Sequence, residues 1–407
     1  MPKSPLAPSR SRFPTASRRS LAACLGLLLA ASACPAAPFT PAADTQVLER
    51  VPARATDPAA RQMQALRQAW RVRPQDLTAA TQLAWRYQAE VAATGDPRYI
   101  GYIQATLQAW WDQPDPPPDV RVLRAVVLQF DHRFDPALAD LRAVLVQDPT
   151  HQPAVAWQLA IQLVRADYAG ARASCEQMAP LTSVLIGVAC RAQVDASTGR
   201  AAAAAQALRT ALQREARADP GERLWALTRL AEIEERRGDA AAAEAAFAQA
   251  LALDLPDVYL DAARADFLLD RGRASDVVAR LKDRSRADVL LLRLAIAAKA
   301  TGDAKAADYQ RELQARFDAA RLRGDTSHRK EEARHALALM GNVPLALRLA
   351  QENWAEQKEP ADARVLLEAA LAARNKAAAA PVLQWLADSG LESVVLTPLA
   401  SQIKALS

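Results

Sequence analysis

Glycine is scarce in this chain, at 13 of 407 residues, and aromatic side chains make up only 5%. Both shares lie below what is usual and leave a composition dominated by alanine, leucine and arginine, that of a helical protein. Histidine is rarer still, with four residues: His132, His151, His328 and His335. The sequence has no H-E-x-x-H, no G-x-S-x-G, no Walker loop and no G-x-G-x-x-G, so the common hydrolase, zincin and nucleotide signatures are missing. A charge surplus is missing too. The formal charge is +5, but Lys3, Arg10, Arg12, Arg18 and Arg19 lie in the first 33 residues, where there is no Asp or Glu. The basic residues left after them equal the 46 acidic ones, so nucleic acid is not an expected partner. What is present suffices for folding: 51% hydrophobic and 24% charged residues, in a length that suits two or three domains or one extended repeat array.

The N-terminus reads as an export signal over residues 1–33. A basic, Pro- and Ser-rich stretch precedes the apolar run Leu21–Ala33. That run is too short to span a membrane and suits a signal-peptide core. Ala31-Ser32-Ala33 is followed by Cys34, which resembles the bacterial lipobox, with Ala31 standing where Leu is preferred. The resemblance implies a mature lipoprotein beginning at acylated Cys34, periplasmic and tethered to the outer membrane, since Pro35 rather than Asp follows. Ser17-Arg18-Arg19-Ser20-Leu21 also resembles a twin-arginine signal. Residues 34–57 are small and Pro-rich without helical period and read as a flexible tether.

Residues 58–401 repeat one idea: apolar-periodic helices broken by short polar turns. In the unit 224–256, Leu227, Leu230 and Ala231 share one helix face, Gly238-Asp239 turns the chain, and Ala243, Phe247, Ala250 and Leu251 follow. The same turn recurs at Gly95, His132, Ala166, Gly199, Gly272, Gly302, Gly341 and Asn375. A small-x3-large pair recurs as Ala137/Leu141, Ala171/Cys175 and Ala204/Leu208. This pattern resembles the tetratricopeptide repeat, whose second helix reads A-x3-F. It departs from the family where Glu234 takes the place of a Tyr. The resemblance implies an all-α fold, a right-handed α-solenoid of about nine antiparallel hairpins; a related Ala-rich solenoid is the competing fold. Asp-Pro at Asp57, Asp96, Asp135 and Asp219 places a cap before a first-turn proline.

No catalytic constellation emerges, so the chain is expected not to be an enzyme and to need no cofactor. The one metal-like spacing is His328, Glu331 and His335, which a continuous helix would bring to one face. Arg329, Lys330 and Arg334 crowd it with positive charge, and a solvated charged helix is the plainer reading. Most of the eight tryptophans are expected in the core, with Trp85 and Trp225 as groove anchors because first helices line the concave face in the resembled family. The same stretch offers Thr228, Glu232 and Glu235 rather than the Lys and Asn of a carboxylate clamp.

Once Cys24 is removed and Cys34 acylated, Cys175 and Cys190 are the cysteines that remain. They sit seven and eight residues either side of Thr182, level on two antiparallel helices, and an oxidising compartment favours their bridging. The reading that follows is an exported repeat scaffold that binds a protein or peptide in the bacterial envelope and touches membrane only through its lipid. The alternatives are a metal- or small-ligand-handling periplasmic protein using the His328–His335 helix, and an accessory subunit of an envelope enzyme.

Overall fold

Helix starts are fixed locally. Asp76, Asp167, Ser183, Asp219, Asp239, Asp257, Asn342 and Asn375 each accept a hydrogen bond from a backbone amide of the first helical turn, as does His151 through its ring nitrogen. Asp219 combines this cap with Pro220 at the first helical position, as the Asp-Pro pattern predicts. Asp135 does not cap: its helix begins at Phe134, and Asp135 supplies charge in the first turn instead.

The computed structural model describes residues 58–406 and the isolated Ala43. The signal segment 1–33, Cys34 and nearly all of the tether 34–57 lie outside the described residues. The chain divides into a unit of residues 1–60, of which little is described, and a unit of residues 61–407. The second unit is all helical. A lead helix α1 (Pro58–Val72) is followed by α2 (Leu77–Thr94) and α3 (Arg98–Thr106), then the short α4 (Gln108–Trp111). Hairpins two to five are α5/α6 (Pro118–Phe130, Phe134–Gln147), α7/α8 (Gln152–Val164, Tyr168–Met178), α9/α10 (Val184–Ala196, Ala201–Arg214) and α11/α12 (Pro220–Arg237, Ala240–Leu251). Hairpins six to nine are α13/α14 (Val258–Leu269, Ala274–Leu281), α15/α16 (Asp288–Thr301, Ala306–Leu322), α17/α18 (Arg329–Ala338, Val343–Glu356) and α19/α20 (Pro360–Ala372, Lys376–Ser389). The α21 helix (Leu396–Lys404) closes the array. It is an all-α solenoid with nine hairpins among the described residues.

Each hairpin turns through one residue with left-handed backbone. Gly95, His132, Ala166, Gly199, Gly238, Gly272, Gly302 and Gly341 all have positive φ. In the ninth hairpin Arg374 takes that role, and Asn375, expected at the turn, caps the next helix. The small-x3-large pairs pack as the pattern requires: Ala137, Leu141, Ala171, Cys175, Ala204, Leu208, Ala243 and Phe247 are all essentially without solvent exposure. Small residues let paired helices approach, and the large ones fill the groove to the next hairpin. Phe247 meets Phe267 of the following hairpin with ring centroids 5.3 Å apart. Glu234 is fully buried between Arg209 and Arg237, so paired charges occupy the place of the family's aromatic ring.

The array winds back on itself. The turn of the first hairpin, Gly95, lies against Val258 and Ala287 of hairpins six and seven. His132 in the second turn meets Gln357, with ring Nε2 and amide Nε2 2.9 Å apart, and the Val164 carbonyl beside the third turn accepts from the Lys358 amide at 2.8 Å. Gly199 in the fourth lies against Gly390, and Gly238 in the fifth against Val394. The turns of hairpins one to five thus stack on the connections that join the later hairpins and α21. No helix among the described residues is long and apolar enough to cross a membrane.

Candidate functional site

Stacking the later hairpins on the earlier ones encloses a cavity of about 470 Å³, lined by residues from α2, α7 to α9, α11, α13, α15, α17, α19 and α21. Seven basic and seven acidic side chains face it, so neither sign dominates. Most are matched. Asp266 on α13 joins Arg293 at 2.5 Å and Arg334 at 2.6 Å. Burial pushes the Asp266 carboxyl up, but the two guanidiniums hold it down to about 2. Arg293 also donates to the carbonyls of Ala262 and Val289, so each nitrogen of this nearly buried cation has an acceptor. Asp270 takes a two-pronged contact from Arg364 at 2.7 Å, and Arg364 reaches Glu368 as well. Lys330 sits 3.6 Å from Asp362 and 3.9 Å from Glu331. Burial opposes the Lys330 charge, yet those carboxylates raise its pKa above the ordinary lysine value. Asp362 in turn accepts from Asn353 and closes a capping box with Glu359.

The wall formed by α11 is different. Arg229 pairs with Glu232 at 3.0 Å and lies over the ring of Tyr259, 4.3 Å from its centroid. The Tyr259 hydroxyl donates to Glu232. Half of the Tyr259 surface is open, but that surface faces the cavity, and burial raises its phenol well above the usual value. Arg236, one turn from Glu232, makes no side-chain hydrogen bond or ion pair among the described residues, and burial lowers its pKa. Glu235 likewise has no partner among them. Burial, then Asp270, Glu232 and Asp266, push its carboxyl up to about 8, so it is held protonated at neutral pH. The Nε of Arg229 is buried without a partner. The cavity therefore holds a matched charge network plus a few unmatched polar groups, most of them on α11.

The residues singled out from sequence fall in several places. Glu232 lines the cavity. Thr228, expected there, is buried, and its hydroxyl donates to the Leu224 carbonyl of its own helix. Trp85 packs against the cores of the first and second hairpins, and Trp225 against those of the third to fifth. Neither tryptophan faces the cavity, because their ring size is used in inter-hairpin packing.

His328, Glu331 and His335 are not brought together. His328 sits at the cap position before α17 and, with His335, faces the Phe317 ring, at 6.3 and 5.5 Å between centroids. Glu331 faces the cavity on the other side. The two histidines share the Phe317 side, and the expected set fails because Glu331 turns away from them to the cavity. Among the described residues no group of His, Cys, Asp and Glu is arranged to hold a metal. Cys175 and Cys190 are joined in a disulfide, with Cα atoms 5.7 Å apart and both side chains buried.

Glu235 was legible as a polar residue on a first helix. Arg229, Arg236, Tyr259 and the α17 and α19 residues were missed, since their convergence depends on hairpins far apart in sequence.

No protein-family model matches the chain, and no curated protein matches it in sequence. Among solved structures it is similar to a tetratricopeptide repeat protein from Parabacteroides merdae, at 15% identity and TM-score 0.40, covering 63% of this chain and 90% of that one. It is also similar to the human IFIT1 dimer with PPP-AAAA, at 14% identity and TM-score 0.44, covering 85% of this chain and 87% of that one. The likeness is one of fold.

Proposed function

We propose that the chain is a non-enzymatic binding scaffold that receives a segment of a protein partner in its interior cavity. The observation that carries this reading is the make-up of the cavity wall. No histidine or cysteine lines it, and its acids and bases are mostly tied to one another, an arrangement that holds a ligand rather than transforms one. The even balance of charge supports a partner of mixed charge over a phosphate backbone, which calls for a basic surplus. Fold alone does not fix function, so the argument rests on the cavity.

The scaffold acts in the bacterial envelope, exported by residues 1–33 and anchored by lipid on Cys34. The buried Cys175–Cys190 disulfide supports this, because such bridges persist in oxidising compartments. The test is affinity capture from envelope extracts with the full mature chain and with Ala263→Trp, which fills the cavity from α13. A partner captured by the parent and lost by the variant supports the reading. A partner retained equally by both overturns it.

A further inference from the structure

We propose that the cavity contains a site for a small dipolar ligand, whose carboxylate pairs with Arg236 and whose ammonium pairs with Glu235. The proposal rests on the reading of the cavity as a binding site, and names the chemistry it takes. Three observations lead to it.

First, Arg236 and Glu235, consecutive on α11, have no ion pair, as is also the case for Lys358 before α19, whereas most other charges of the wall are matched. Asp266, Asp270, Arg293, Arg334 and Arg364 all have partners within ordinary ion-pair distance. Neither the Arg236 guanidinium nor the Glu235 carboxyl has one among the described residues, although both line the cavity. A cation held away from water without an ion pair is costly and is retained where something else supplies the partner, and Glu235, protonated in the empty cavity, gives up its proton when a bound ammonium takes the place of the missing cation.

Second, the two cannot satisfy each other. They are consecutive on α11, and side chains one residue apart on a helix do not face each other. A cation and an acid therefore stand in the same cavity, directed apart. Glu232 is close to both, but Arg236 has Tyr259, Arg229 and Tyr168 around it as well, whereas Glu235 has Asp270 and Asp266. An amino acid or short peptide has the matching polarity, with an anionic and a cationic end.

Third, there are further donors and enough room. The buried Nε of Arg229 has no partner, and it lies on the Arg236 side, where a carboxylate has two oxygens to fill. A volume of about 470 Å³ falls in the range of small-molecule sites. Equal numbers of lining acids and bases give no attraction for a ligand of one sign, so recognition must come from placing both charges at once.

The ligand chemistry has two sources, a free α-amino acid and the termini of a short peptide. The test is calorimetric titration of the full mature chain with an equimolar mixture of L-amino acids, and separately with tetra-alanine bearing free ends. N-acetylated and C-amidated tetra-alanine serve as controls. The expected result is saturable binding of at least one free-ended probe, weakened about ten-fold or more by blocking either end. Binding of the mixture without the peptide identifies the amino acid as the source, and the converse identifies the peptide.

Arg236→Gln is expected to bind free and amidated probes alike, and Glu235→Gln to bind free and acetylated probes alike, while Arg236→Lys keeps its preference for a free carboxylate. Because Arg236 makes no side-chain hydrogen bond or ion pair among the described residues and feels Glu232 only at longer range, Arg236→Gln should also melt close to the parent without ligand, which separates lost recognition from lost folding. No saturable binding by any probe, or equal binding of blocked and free forms by the parent, overturns the proposal. Those outcomes leave the partner-capture test with Ala263→Trp standing on its own.

Discussion

A methyl group placed on Gly95 would lie 2.8 Å from the Cβ of Ala287, a contact between the first hairpin and the start of the seventh. Gly272 has the same left-handed backbone, at φ 70 against φ 67, but nothing within 4 Å of the corresponding position. The pair separates two reasons for glycine. Both positions need positive φ, and alanine there costs roughly 1–2 kcal/mol. Only Gly95 also needs the missing methyl to let the stacked hairpins touch. We expect Gly95→Ala to destabilise by about 1–3 kcal/mol more than Gly272→Ala in denaturant titrations. Equal losses would mean that the contact between hairpins one and seven contributes nothing.

Phe247 tests the repeat register. Its side chain is fully buried and meets Phe267 across the boundary between hairpins five and six. Phe247→Ala should cost about 3–5 kcal/mol, and in an array stabilised by neighbouring hairpins the loss should reach hairpins four and six. Hydrogen exchange along α10 and α13 checks this. A loss below about 1 kcal/mol, confined to hairpin five, is incompatible with a groove-filling role.

Local features of the fold were legible in the sequence because local chemistry sets them. Eight of the nine turn residues follow from short polar breaks at nearly even spacing, and the ninth slips by one residue because Asn375 is the better cap. The small-x3-large pairs mark the buried faces without any knowledge of neighbours. The binding cavity was not legible. Its wall joins Arg229 and Tyr259 to Lys330 and Arg364, and only the winding of the solenoid brings these together. His328 shows the same limit from the other side: it and His335 both face Phe317, but Glu331 turns to the cavity, so the spacing assembles no ligand set.

The disulfide is expected to be structural. Cys175 and Cys190 are buried on α8 and α9 and close a loop of sequence separation 15, worth about 3 kcal/mol in the chain-entropy view. Purified, unreduced mature protein should show no free thiol from these positions after denaturation. Reduction, or Cys175→Ala with Cys190→Ala, should lower the unfolding midpoint without loss of helix content. Two titratable thiols from these positions would remove this support for an oxidising compartment.

Lipidation is checked by mass. If Cys34 is the mature N-terminus, the exported protein should carry acyl chains and partition with membranes, and Cys34→Ala should abolish both. More than one chain gives anchoring far beyond the marginal hold of a single one. A membrane-associated parent with an unmodified N-terminus, or a soluble mature species, rules out the lipid anchor while leaving export untouched.

Glu235 gives the pH dependence a definite sign. Its carboxyl is raised from the ordinary 4.5 to about 8 by burial and by Asp270, Glu232 and Asp266, with Arg271 working weakly the other way. The folded state therefore holds a proton that the unfolded chain releases near 4.5. Stability from this group is fully present below about 4.5 and is lost as pH rises through about 8. Glu235→Gln keeps the shape and cannot ionise, so its stability relative to the parent should climb from pH 5 to pH 9. The climb should be on the order of 1–2 kcal/mol, less than the full shift implies because water reaches the cavity. Matched denaturation curves at several pH values measure it. The half-buried His132 and the buried His335, whose pKa values are lowered chiefly by desolvation, are present in both proteins and cancel from the difference. A flat difference across that range would place an ionised Glu235 in the fold at neutral pH.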